Sequence, residues 1–170
     1  QQRFPDALTV HRLDMATSGL LVFARGEVMQ RALSVLFQDR QVDKRYVAVV
    51  KGLLAQDQGE IDLPLSADWP NRPRQMVCFE RGKPSQTRYE VLARDLGQGE
   101  TRVALTPITG RSHQLRVHML ALGHPMLGDP FYGDADSQAR APRLLLHAAA
   151  LSLTHPQTGE RMHWASAPPF

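Results

Sequence analysis

Two short stretches hold most of the side chains whose types and spacing could do chemistry. Residues 11–19, His-Arg-Leu-Asp-Met-Ala-Thr-Ser-Gly, crowd an acid and a base just ahead of an apolar run. Residues 107–116, Pro-Ile-Thr-Gly-Arg-Ser-His-Gln-Leu-Arg, form a polar turn ahead of a helical pattern. A lone carboxylate such as Asp14 can serve as a general base or as a nucleophile. Strand and helix ends are where side chains project into a cleft from a rigid support. In its D-x-x-T-S-G context, Asp14 can equally be a turn carboxylate bonded to nearby backbone.

Several other chemistries lack their signatures. His113 and His118 are five residues apart, about 500° of helical turn, which sets the two rings on different faces. His124 stands alone and neither HExxH nor CxxC occurs, so no metal site is expected. GxxxxGK[ST] and GxGxxG are missing too, which leaves no nucleotide-cofactor loop. Ser18-Gly19 lacks the GxSxG surroundings of a hydrolase nucleophile. His113, His118 and His147 read as structural.

The elements that must position these residues follow from periodicity. Gly19–Ala24 (GLLVFA) reads as a short buried strand, and Glu27–Arg40 as an amphipathic helix with Met29, Leu33, Leu36 and Phe37 on one stripe. Tyr46–Val50, Gly59–Leu63, Met76–Phe79, Thr87–Ala93 and Arg102–Thr106 read as strands. Asp68–Arg74, with two prolines, reads as a loop. Ser112 stands near the cap of a second amphipathic helix that carries Leu115, Met119 and Leu122 and stops at Gly123. Leu144–Leu153 and Arg161–Trp164 read as two final strands. Strands joined by short turns, without regular βαβ alternation, predict an α+β fold with a mixed, mainly antiparallel sheet and a few flanking helices.

Composition sets the outer limits. A chain of 170 residues, 42% hydrophobic and 22% charged, can bury a core without staples and is not a disordered tail. Its longest apolar stretch, Leu144–Leu153, is broken by His147 and is too short to span a membrane, and the opening Gln1-Gln2-Arg3-Phe4-Pro5 has no apolar core of a secretory leader. One cysteine, Cys78, excludes an internal disulfide framework and suits a reducing, cytoplasmic setting. Net charge is only +3, yet the basic residues are arginines except for Lys44, Lys51 and Lys83. Arginine suits forked phosphate contacts and stacking on bases. Nucleic acid is the partner this hints at.

HRLDMATSG (11–19), KRYVAVVKG (44–52) and TGRSHQLRVHMLALGHPMLGD (109–129) resemble, in order, three motifs of the RluA family of RNA pseudouridine synthases. DWPNRPRQ (68–75), GKPSQTRYEV (82–91) and APRLLLHA (141–148) extend the likeness over essentially the whole chain. The resemblance implies a pseudouridine synthase catalytic domain over 1–170 that lacks the family's upstream Asn-Lys-Pro-containing segment and has no S4-like RNA-binding domain. It implies isomerisation of uridine in stem-loops of ribosomal RNA and the transfer-RNA anticodon arm, without cofactor, by a monomer.

The same resemblance assigns roles. Asp14 would be the catalytic carboxylate, acting as nucleophile at the sugar or as base toward a sugar proton. Arg111 would be its basic partner, Tyr46 would stack on the displaced uracil and offer a phenol, and Leu115 would close the base pocket. Arg12 would fill the space that a flipped base vacates. Trp69, Arg72 and Arg74 form an aromatic and basic loop able to stack on bases and meet phosphates, or simply a solvated turn. Two other readings stay open: a non-catalytic RNA-binding derivative of the fold, and a hydrolytic N-glycosidase that releases free uracil.

Overall fold

Alternating and β-branched runs pair here into one large sheet, and two helices pack against it. The computed structural model describes residues 3–170; Gln1 and Gln2, part of the opening stretch read for a leader, lie outside the described residues. In chain order the elements are β1 (Ala7–Thr9), β2 (Ser18–Gly19), β3 (Phe23–Arg25), α1 (Glu27–Gln38), β4 (Asp43–Lys51), β5 (Gln58–Asp62) and β6 (Leu65–Ala67). A 3-10 turn (Trp69–Asn71) follows, then β7 (Gln75–Val77), β8 (Gln86–Asp95), β9 (Glu100–Pro107), α2 (Gln114–Ala121), α3 (Ala135–Ala139), β10 (Leu146–Thr154) and β11 (Arg161–Ala165).

The main sheet runs β11-β10-β4-β9-β8-β5 with antiparallel neighbours, and β2 joins β10 in parallel. It is mixed and mainly antiparallel, as the pattern predicts. β1-β3 and β6-β7 form two small hairpin-like sheets beside it. The register aligns one row across the centre: Gly19 opposite Ala148, Ala148 opposite Tyr46, Tyr46 opposite Leu105. With strands about 4.8 Å apart, this row brings the segment before β2, the middle of β4 and the end of β9 to one place. No described helix is long and apolar enough to cross a membrane.

One core cluster lies between the sheet and α2, with Ala48, Val50, Val103, Leu105, Leu115, Met119 and Leu146 buried together. A second seats Leu33 of α1 on Ala24, Val42, Leu151 and Leu153, with Met29, Leu36 and Phe37 at its margin. That is the stripe the sequence predicts.

The structure corrects two expectations. Gly19–Ala24 is not one strand but the end of β2 and the start of β3, in different sheets. Gly19, at φ 109°, presses so close to β10 that a Cβ would stand 2.4 Å from the Ala148 carbonyl oxygen, and the chain turns away there. Ser112 stands next to the cap of α2, which is His113, in a left-handed conformation (φ 54°) and without a capping side-chain bond. The helix α2 is not amphipathic. Gln114 through Met119 are all buried, while Leu122 lies past the helix end and is 38% exposed. A helix covered on both sides must satisfy its polar side chains internally, and this one does.

Candidate active site

The loop before β2, the inner face of β4 and the turn between β9 and α2 enclose a cleft of about 330 Å³. Asp14, Tyr46, Leu115, Arg12, Arg111, His11, Lys44 and His113 all line it. The D-x-x-T turn exists, but its bond runs from the Thr17 N–H to the backbone carbonyl of Asp14 (2.9 Å). The carboxylate is therefore free of the turn. It accepts no side-chain hydrogen bond among the described residues and faces the cleft.

Its ionic partner is Arg116. Nη1 of Arg116 stands 3.6 Å from Asp14 Oδ2, and the guanidinium is 2% exposed. The other edge of the fork is taken by Asp129, fully buried, with Nε to Oδ2 at 2.7 Å and Nη2 to Oδ1 at 2.6 Å. Asp129 Oδ1 also accepts from the N–H groups of Phe131 and Tyr132 (2.9 and 3.1 Å). A bidentate fork on one carboxylate leaves one nitrogen aimed at a second. Burial acts against the Arg116 charge, but Asp129 and Asp14 outweigh it and hold the guanidinium above its ordinary range.

Arg111, the partner expected from the sequence, is not paired with Asp14. It reaches away, donating from Nε to the Pro84 carbonyl (3.3 Å), and its own N–H is held by Gln114 Oε1 (3.0 Å).

His113, expected to be structural, is part of the cleft. Its Nε2 is 4.0 Å from Asp14 Oδ1, and its Nδ1 is 2.7 Å from the Tyr132 hydroxyl. That hydroxyl already accepts the Gln75 N–H (2.7 Å), so its proton is available to His113 Nδ1. Burial first, partly opposed by Asp14, holds the His113 pKa below its usual value. The imidazole is therefore neutral near pH 7. His118 is structural as expected, buried between the Thr87 hydroxyl and the Leu63 carbonyl, and so is His147, between Ser18 and Ser166.

Tyr46 sits on the cleft wall with its phenol pushed up to about 12 by burial and by the Asp14 charge. It stays protonated at neutral pH, an apolar ring with one O–H to donate. Leu115 forms the apolar side, and Arg12 is exposed at the mouth. Trp69, Arg72 and Arg74 lie outside the cleft lining. Trp69 is 62% exposed with the Arg72 guanidinium 3.7 Å over its ring, and Arg74 lies 5.4 Å over the ring of Tyr132. The loop thus connects to the cleft through Tyr132.

Sequence reading missed Arg116, Asp129, Tyr132, Lys44 and His11. For Arg116 a signal existed: an arginine flanked by Leu115 and Val117 in an apolar helix needs a buried partner. The imidazole of His11 stacks on Phe37 (4.2 Å) and accepts the Val22 N–H at Nε2 (3.0 Å). Burial and the nearby Lys44 charge lower its pKa to about 4. The unfolded chain then binds a proton that the folded one excludes. The His11 contribution to stability is intact above about pH 6.5 and fades as pH falls toward 4. His11→Gln keeps an acceptor for Val22 and does not titrate. The stability difference between wild type and His11→Gln is expected to change by about 1–3 kcal/mol across that window, after allowance for solvent screening. A pH-independent difference in urea-unfolding free energy would contradict it.

The sequence profile of a family described as RNA pseudouridylate synthase matches residues 5–121. The chain is 58% identical over 164 residues to the dual-specificity RNA pseudouridine synthase RluA of Yersinia pestis, covering 96% of this chain and 79% of that protein. It is 54% identical over 170 residues to the protein of the same name from Escherichia coli K12, covering 100% of this chain and 77% of that one. Human RNA Pseudouridylate Synthase Domain Containing 1 superposes with a TM-score of 0.88 at 33% identity, over 99% of this chain and 71% of the human one. Human RNA Pseudouridylate Synthase Domain Containing 4 superposes at 0.78, with 28% identity over 96% of this chain and 72% of the other.

Proposed function

The chain belongs to the RNA pseudouridylate synthase family, and from that membership we propose how its cleft isomerises uridine and on which RNA. It is an RNA pseudouridine synthase. Its substrates are stem-loops of ribosomal RNA and the transfer-RNA anticodon arm. Residues 1–170 belong to its catalytic domain, which works as a monomer in the cytoplasm without cofactor or metal.

One observation carries the mechanism: a carboxylate, Asp14, held by Arg116 but otherwise unbonded, faces a cleft whose walls are Tyr46 and Leu115. The reaction breaks the bond between C1′ and N1, turns the uracil and joins C1′ to C5. The C5 proton leaves and N1 regains one, so no electrons or groups enter from outside. Asp14 attacks the sugar or removes its proton, Arg116 fixes the carboxylate, and Tyr46 and Leu115 hold the ring while it turns. The target base must leave its stack to reach this depth, and Arg12 at the mouth fills the gap.

Arg12, Lys44 and Arg111 line the cleft against one carboxylate, Asp14, so the cleft as a whole is basic. RNA affinity is expected to fall steeply with salt, with about 0.7–0.9 of log–log slope per phosphate contact. A flat response in filter binding between low and physiological salt would count against this interface. The function itself is tested by incubating the protein with unmodified transfer RNA and ribosomal RNA fragments and mapping pseudouridine chemically. Free uracil in place of pseudouridine would mean an N-glycosidase, and binding without product would mean an inactive derivative.

A further inference from the structure

Lys44 lies on β4 two residues before Tyr46, hence on the same face of the sheet, about 7 Å along the strand. Its side chain is half-buried in the cleft wall. Nζ reaches toward the Thr109–Arg111 turn, 3.8 Å from where a Cβ on Gly110 would stand. Among the described residues it makes no ion pair and no side-chain hydrogen bond, whereas Lys51 is shared by Asp134 and Asp136. Burial lowers its pKa and no neighbouring anion opposes that.

Its surroundings supply no counter-charge. His11 is neutral and its Nε2 is committed to Val22, and the phenol of Tyr46 is neutral. Arg111 is a like charge, and Asp14 is turned to Arg116. A half-buried ammonium without a partner is destabilising, and a methionine would fill the same space. The anion it suits must arrive with the ligand. An RNA ligand carries one anion per nucleotide, and Lys44 stands one side-chain position from the ring on which the base is held.

We propose that Lys44 binds a phosphodiester immediately flanking the flipped uridine, so that the nucleotide is gripped at both ends, base on Tyr46 and Leu115, phosphate on Lys44. This rests on the reading that the cleft takes a uridine out of RNA. Lys44 is a positioning residue: it touches a phosphate, not the reacting atoms.

The experiment is a binding cycle on an unmodified transfer-RNA anticodon stem-loop. Wild type and Lys44→Met are each measured with the natural RNA and with RNAs carrying one neutral methylphosphonate at each phosphate next to the target. At one position the methylphosphonate is expected to weaken wild-type binding about tenfold, as much as Lys44→Met weakens the natural RNA. The two changes together should cost no more than either alone. Lys44→Arg should restore most of the affinity. Additive losses at every flanking phosphate, or natural-RNA binding unchanged by Lys44→Met, would overturn the assignment. Lys44→Met should melt at or above the wild-type temperature, since an unpaired charge is removed. A large fall would place Lys44 in the fold and overturn it too. Pseudouridine formation by wild type on the natural RNA is scored separately. Its absence would sink the functional reading, while the cycle still decides Lys44.

Discussion

Asp129→Asn is expected to destabilise the protein by about 3–5 kcal/mol, because it leaves the Arg116 guanidinium buried without its bidentate partner. For a chain of this size the melting temperature should fall by on the order of 10 °C. Urea unfolding and calorimetry measure both. The effect should not stop at stability. Asp129 uses two of the three Arg116 nitrogens, at 2.6 and 2.7 Å, and so sets the direction in which the third meets Asp14. Arg116→Lys removes the planar fork, and a single ammonium cannot satisfy Asp129 and Asp14 in these directions. Turnover should fall by about 10² or more in each variant, the scale expected when a reacting group is misplaced by an ångström. Arg111→Lys is the internal control. The Arg111 side chain donates only to the Pro84 carbonyl at 3.3 Å and keeps its charge as lysine, so activity should stay within several-fold of wild type. The reverse ranking, with Arg111→Lys dead and Arg116→Lys active, would show that the ion pair at Asp14 does not organise the site.

How legible this was in the sequence depends on how local each feature is. Asp14, Tyr46 and Leu115 each lie in a short motif that carries the family resemblance, and the cleft brings the three together. The sheet type and α1 followed from period-two and helical patterns, which report burial directly. Arg116 was not found, and Arg111 was named in its place. The two are five residues apart, with the helix start and a left-handed His113 (φ 54°), which no pattern announces, between them. Asp129 lies thirteen positions after Arg116, beyond the end of α2, so no periodicity links them. The run 19–24 is continuously apolar in sequence, but membership of two sheets is decided by the contact of Gly19 with Ala148, which is set by β10 far along the chain. α3, five residues long, is too short to show a period.

Asp14→Asn is expected to leave the fold almost untouched and to abolish the reaction. The side chain is 20% exposed at the edge of a cleft and has no packed hydrocarbon role. Its loss leaves Arg116 still bonded by Asp129, so the cost in stability should stay near 1 kcal/mol and below 3. RNA affinity should be kept or should rise, since an anion facing phosphates is removed. Asparagine matches the shape of the carboxylate but is neither nucleophile nor base, and no other carboxylate lines the cleft among the described residues. If Asp14 were only a turn residue, its turn bond, which uses the backbone carbonyl, would survive and so would activity. The measurement is single-turnover formation of pseudouridine, by chemical mapping, with excess folded Asp14→Asn protein on an RNA that the wild type modifies. No product above background is the predicted result, and pseudouridine formed at a rate within a few-fold of wild type would contradict it.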